Sequence, residues 1–351
     1  MPERGGFSPI GRMLVITAAA VAILAGMRVA GPILGPIFVA LVITIAWNPG
    51  AEWLRKRGVN ATVAALAGIV VGVAVVGLVV ALVWVSVAQL QDKLPSYQPR
   101  IAALQAMVTE KLRVLPIDTS GLLSSDAVKP ASLVGYALRF IRQLTQTAGD
   151  LVVLVLLMAF MMLEAINFPA KLRSAFTSNP SALESFKGLG ECIESYVVIN
   201  ALFGLGAAIL NTILLLSLGV DFAFLWGVLS FLLSFVPNIG FIIALVPPAL
   251  LALIEFGFTR AAIVLGGYIV INFVSDNVIK PKFVGETIGL SPLVVVLSLI
   301  FWAWLLGPLG ALVAVPLSIG VKFLLESFEE SKWIARLMSD RAVSPAETTA
   351  T

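Results

Sequence analysis

Asn272, Asp276 and Lys280 recur at i, i+4 and i+8, so in a helix they share one face, with Ser275 and Asn277 beside them. A charged side chain inside an apolar span costs about 2.5–3.5 kcal/mol on insertion scales and marks an ion or substrate pathway by default. At the interface the same Asp276 and Lys280 would be a hydrated anchor pair. Pro281 disfavours helix at the residue before it and ends the segment near Lys280. Asn200 and Asn211 nearly superpose on one face of another apolar run; they either join helices or meet a substrate. Asp221 and Glu255 bracket a long apolar run, where interfacial hydration explains them. Asn238, beside Pro237 and Gly240, stands at a break in that run, where its amide can satisfy freed backbone or meet a solute. A second break, at Gly307, Pro308 and Gly310, interrupts the uncharged stretch from Thr287 to Val321. Lipid does not tolerate open backbone, so such breaks survive only when buried in protein or lining a watery cavity.

The elements that must hold these residues are membrane helices. Hydrophobic residues make up 59% of the 351-residue chain and charged residues 12%, against about 25% charged in soluble domains. The mean hydropathy is +1.02. Uncharged runs cover 13–27, 29–51, 61–91, 151–163, 195–220, 222–254, 261–275 and 287–321. A span needs about 20 apolar residues, and the two longest runs are the broken ones. The fold class is therefore all-α: a polytopic membrane protein with about eight hydrophobic segments, of which about six are spans and two are re-entrant helical hairpins. Residues 1–11 show no signal-peptide cleavage pattern, so the first run is expected to be retained.

Four regions follow. Residues 1–91 are N-terminal membrane helices, 92–148 an extracytoplasmic helical insert, 149–326 the transport core, and 327–351 a cytoplasmic tail. In the insert, Tyr97, Ile101, Leu104, Val108, Leu112 and Leu115 recur at helical spacing, and Leu133 to Leu144 give a second amphipathic stretch after a turn at 116–130. Lys and Arg cluster at 4–12, 55–57, 171–187, 280–282 and 322–341. Cytoplasmic loops carry such residues. All five clusters fall on one side only if 222–256 and 291–325 each return to the side they entered from. The hairpins then enter from opposite sides, as an inverted repeat. Broken helices in inverted repeats are a mark of secondary transporters.

The net charge of +3 gives no sign of a nucleic-acid partner. The absence of histidine excludes zinc proteases of the His-Glu-x-x-His type and Ser–His dyads. No phosphate-binding Gly-x-x-x-x-Gly-Lys motif appears, no cofactor is expected, and the chain reads as no enzyme. One cysteine, Cys192, excludes an internal disulfide.

Phe235-Val-Pro-Asn-Ile-Gly240, Asp276-Asn-Val-Ile-Lys-Pro-Lys-Phe-Val-Gly285, Gly289-Leu-Ser-Pro-Leu-Val and Trp304-Leu-Leu-Gly-Pro-Leu-Gly310 resemble the autoinducer-2 exporter (AI-2E) family, the PerM-like permeases. The resemblance covers the layout of the whole chain and is specific over roughly 195–325. Asn238 departs from it, since the family often has an aromatic residue there. The resemblance implies a multi-pass protein of the bacterial inner membrane, a homo-oligomer in the lipid bilayer, working in efflux; the basic clusters place both termini in the cytoplasm. The expected function is secondary transport of a small solute, autoinducer-2-like. The alternatives are a sodium (lithium)/proton antiporter and a non-transport membrane scaffold or channel. The expected pathway residues are Asp276, Asn277, Asn272, Lys280, Asn238, Asn200 and Asn211, with Pro237, Gly240, Gly307, Pro308 and Gly310 at the hairpin tips.

Overall fold

The computed structural model describes residues 9–113, 151–237, 239–280 and 289–340. Among these the chain is helical, with no strand. The 116–130 turn, the 133–144 helix and Asn238 lie outside the described residues.

Helices α1 (Pro9–Val29) and α2 (Gly31–Ala46) meet at Ala30. Pro32 has no N–H to donate and sits in the first turn of α2, where none is needed. Helix α3 (Asn48–Lys56) extends α2 into one candidate span, Gly31–Lys56. Asn60 then opens α4 (Ala61–Arg113), its side chain accepting from the Val63 N–H at 2.8 Å. Helix α4 does not stop where the apolar run ends. It contains Pro95 and Pro99, both exposed and one turn apart, so the missing hydrogen bonds fall on one face. At 1.5 Å per residue, the part beyond Leu90 adds about 35 Å to the helix.

Helices α5 (Leu151–Ala165) and α6 (Phe168–Ala175) meet at 60°. Helix α7 (Pro180–Leu218) has strong local signals at both ends. Asn179 accepts from the Ala182 N–H, Pro180 is first in the helix, and Gly219 at φ 74° closes it. Then follow α8 (Ala223–Leu233), α9 (Gly240–Phe256) and α10 (Phe258–Phe273), with a π-helical turn at Val274–Ile279. Helix α11 (Pro292–Leu306), capped by Ser291, ends at Gly307. The short α12 (Pro308–Leu312), α13 (Ala314–Glu326) and α14 (Lys332–Met338) complete the chain.

Four helical segments are long and apolar enough to cross a membrane, and the α5–α6 pair makes a fifth. Met13–Val29, Ala223–Leu233, Gly240–Phe256 and Pro292–Leu306 are shorter apolar helices, so the described residues hold four to five candidate spans where about six were expected. Many large apolar side chains point outward, among them Val70, Leu202, Ile213 and Ile300, as lipid contact requires. The protein is an all-α, multi-pass membrane protein.

Both broken runs fold back on themselves. The phenol of Tyr97 touches Asp221 before α8 and Glu255 at the end of α9, so the two ends of the first hairpin meet. The Lys322 ammonium donates to the Gly289 carbonyl at 2.9 Å, joining the two ends of the second. Between its arms the buried Trp302 indole donates to Ser318 at 3.0 Å. Along α7, the first hairpin opens beside Leu218. The second opens near Cys192 and Ile193, which pack in one cluster with Ile319 and Leu290. Those two levels are about 40 Å apart along the helix. The hairpins thus enter from opposite ends.

Candidate functional site

The two tips meet in the interior. Val236, from the first tip, packs in a single cluster with Trp302, Leu305, Leu306 and Ala314 of the second hairpin. Each tip turns because a glycine of the returning arm lies on a carbonyl of the entering arm. A Cβ at Gly240 would stand 1.9 Å from the Leu233 carbonyl oxygen, and one at Gly310 would stand 2.1 Å from that of Trp302. Only a residue without Cβ fits either place. Pro237 and Pro308 stand at the turns; Gly307 takes φ 73°, which disfavours any side chain. The α1–α2 break packs onto the second tip, where a Cβ at Gly31 would stand 2.9 Å from the Leu305 oxygen. Beside it, Arg28 lies 4.5 Å from the Trp304 ring centre.

The sequence-read polar residues divide in two. Asn200, Asn272 and Asn277 each donate to a carbonyl one turn back in their own helix, at 2.8, 2.8 and 3.2 Å. Asp276 pairs with Lys280 at 2.7 Å. Their helix is a π-turn, a deviation found disproportionately at functional sites. Asn211 differs from all of these. It is fully buried, and among the described residues neither its amide nitrogen nor its oxygen has a hydrogen-bond partner.

A further polar group escaped sequence reading. At the base of the first hairpin, Tyr97 lies 2.8 Å from Asp221 and 3.0 Å from Glu255, and Lys93 pairs with Asp221. One phenolic proton cannot serve two carboxylates, so both contacts are hydrogen bonds only when one carboxyl carries its own proton. Desolvation first, then the hydrogen bond and charge of Asp221, push Glu255 up to about 7. Asp221 is desolvated too, but hydrogen bonds from Glu255, Lys93 and Tyr97 outweigh that and hold it below the usual carboxylate range. The second Glu255 oxygen is buried without a partner, which also favours the neutral acid. Burial, together with the two carboxylates, pushes the Tyr97 phenol well above its ordinary range. The signal in the sequence was the pair of acids bracketing the run. What could not be read was the tyrosine that joins them. Among the described residues, no group of acidic or thiol ligands could hold a metal ion.

Four to five candidate spans with two opposed hairpins whose tips meet in the interior form the architecture of a carrier. The family model described as AI-2E family transporter matches residues 17–330. The chain belongs to the AI-2E transporter family. This AI-2E transporter is 32% identical over 331 residues to the AI-2 transport protein TqsA of Escherichia coli (strain K12), covering 94% of this chain and 96% of the relative. It is 29% identical over 337 residues to the putative transport protein YhhT of the same organism, covering 96% and 95%. A sodium-lithium/proton antiporter of Halobacillus andaensis is 24% identical over 308 residues, covering 80% of this transporter and 85% of the antiporter.

Proposed function

We propose that this AI-2E transporter exports a small polar solute of the autoinducer-2 type by alternating access at the meeting point of its two hairpin tips. The observation that carries the reading is the pair of matched glycine-on-carbonyl contacts at Gly240 and Gly310, with Val236 packed against the second hairpin. The name of the TqsA relative supports the cargo. Without a nucleotide-binding motif, the driving force is the solute gradient or a coupled ion. Asp276, Asn272, Asn277, Lys280, Asn200 and Asn238 are assigned to the pathway around the tips. The protein catalyses no covalent chemistry in this reading.

Both termini and the 52–60 loop are assigned to the cytoplasm, and the 92–148 insert to the opposite side. The distribution of charge along the bundle supports this orientation. Asn48 bonds Glu194 at 2.8 Å, so α3, with Arg55, Lys56 and Arg57 beyond it, lies at the Cys192 end of α7, where Lys322 also sits. Single cysteines replacing Gly58, Ser120, Lys282 and Asp340 in a Cys192→Ser background test it. In intact cells an impermeant thiol reagent should label only Ser120→Cys. Labelling of Lys282→Cys or Asp340→Cys from outside would reject the orientation.

The antiporter relative favours a second reading, in which the exchanged species are a monovalent cation and protons. The solute measurements below separate the two.

A further inference from the structure

Asn211, Ser230 and Tyr268 are buried polar residues on three different helices. Among the described residues, the Asn211 amide nitrogen and oxygen, the Ser230 hydroxyl and the Tyr268 hydroxyl find no partner at full hydrogen-bond geometry. Tyr268 lies close enough to Ser230 for the two hydroxyls to interact across the helices, short of full hydrogen-bond geometry. Asn211 and Tyr268 are both 0% exposed.

The packing register brings the three together. Helices α7 and α8 run antiparallel: Gly204 lies against Ser234, and Gly227 against Thr212 and the Ala208 carbonyl. Ser230 falls between those levels. Helices α7 and α10 are also matched: Arg260 donates to the Leu218 carbonyl, and Gly267 lies against Leu214. Tyr268, one residue on, stands within one helical turn of the level of Asn211. At 100° per residue, Ala208 and Thr212 mark the face of α7 toward α8, and Leu214 and Leu218 the face toward α10. Asn211 lies between those two faces, turned into the cleft shared by all three helices. It sits about 10 Å inside the Leu218 end of the span.

A polar residue retained in a membrane core as helix glue would bond across to a neighbour. These do not. Leaving a buried donor or acceptor unmet costs about 1–3 kcal/mol per group, and four such groups converge here. We propose that Asn211, Ser230 and Tyr268 form an occluded binding site for an uncharged solute bearing hydroxyl or carbonyl groups. The site supplies two amide donors, an amide acceptor and two hydroxyls, with no charge of its own. The sequence has no charged residue between Glu194 and Asp221 or within α8, and α10 carries only Arg260, which is engaged at Leu218 and on the Phe256 ring. An ion would find no counter-charge in such a pocket, whereas a neutral hydroxylated molecule would meet each orphaned group. Full burial means that α8 must move from α7 for the site to load, and α8 is the entering arm of the first hairpin.

This assignment rests on the transport reading and deepens it. Asn211→Leu and Tyr268→Phe each delete orphaned groups with little change of volume. Both should melt at or above the wild-type temperature in detergent, since removing an unmet buried polar group is neutral or stabilising. Both should lower autoinducer-2 transport at least tenfold. Separately, Asn211→Cys in the Cys192→Ser background should react with methyl methanethiosulfonate in membranes, and autoinducer-2 should slow that reaction. Transport within twofold of wild type in both variants, or no reaction at Asn211→Cys, would overturn the site. A lower melting temperature in both variants would overturn it too, by showing that the groups are held structurally. If Asn211→Cys reacts but autoinducer-2 is neither carried by the wild type nor protective, the site stands and the cargo named above is wrong.

Discussion

Substituting leucine for Gly240 or Gly310 should reduce transport to background while the protein still inserts into the membrane. A Cβ at Gly240 would stand 1.9 Å from the Leu233 oxygen and 2.8 Å from its carbonyl carbon. At Gly310 it would stand 2.1 Å from the Trp302 oxygen and 2.7 Å from the Leu306 Cβ. These obstacles are mostly backbone, so no rotamer change relieves them, and overpacking of this kind costs about 1–3 kcal/mol or more. The arms must separate, and separated arms cannot bring Val236 onto Trp302, Leu305 and Leu306. Even Gly310→Ala should be severely impaired. Gly206→Ala and Gly266→Ala are the controls, since a Cβ at either meets nothing within 4 Å. Both should transport at the wild-type rate with equal surface abundance. Normal transport by Gly310→Leu would reduce the tip to a lipid-facing kink.

The second large effect concerns pH. Glu255 is raised from the ordinary 4.5 to about 7. Its contribution to holding the base of the first hairpin is therefore complete below about 4.5 and is lost as pH rises through about 7. Asp221 is lowered, so its contribution is present above its ordinary 3.8 and fails only as the solution becomes more acidic than that. Between these limits the two carboxyls hold one proton, on Glu255, beside the phenolic proton of Tyr97. Lys93 faces Asp221 from α4, and Arg260 on α10 is engaged nearby at Leu218. Transport measured from pH 5.5 to 8.5 should show a step near 7. Glu255→Gln keeps the shape of the neutral acid and should flatten that step. Asp276→Asn, which leaves Lys280 without its partner, should lower the rate at every pH and leave the step in place. The opposite pattern, with Asp276→Asn flattening the profile and Glu255→Gln leaving it unchanged, would move the titrating group to Asp276.

The hairpins were legible because glycine and proline interrupt runs that lipid would otherwise keep whole, and because basic residues allow only returning segments. The caps at Asn60, Asn179 and Ser291 are local signals that the sequence analysis did not single out. The continuation of α4 past residue 91 was not legible. Pro95 and Pro99 lie inside it, both exposed on the same side, and do not end the helix. Helical spacing placed Tyr97 and Ile101 on one face, and both are buried, but periodicity does not say what a buried phenol touches. Its partners Asp221 and Glu255 are far away in sequence, and each alone looks like a hydrated interfacial acid. The same limit applies to Asn211. Helical spacing placed it with Asn200 on one face, but only packing reveals that Asn200 is satisfied by its own helix while Asn211 is not.

The most direct measurement is uptake of autoinducer-2 by proteoliposomes holding the purified protein, without ATP, with and without an imposed pH gradient, beside lithium-driven proton movement in the same vesicles. Saturable autoinducer-2 movement that is lost in Gly310→Leu is the expected result. No autoinducer-2 movement in vesicles that exchange lithium for protons would contradict the solute reading and establish the antiporter in its place.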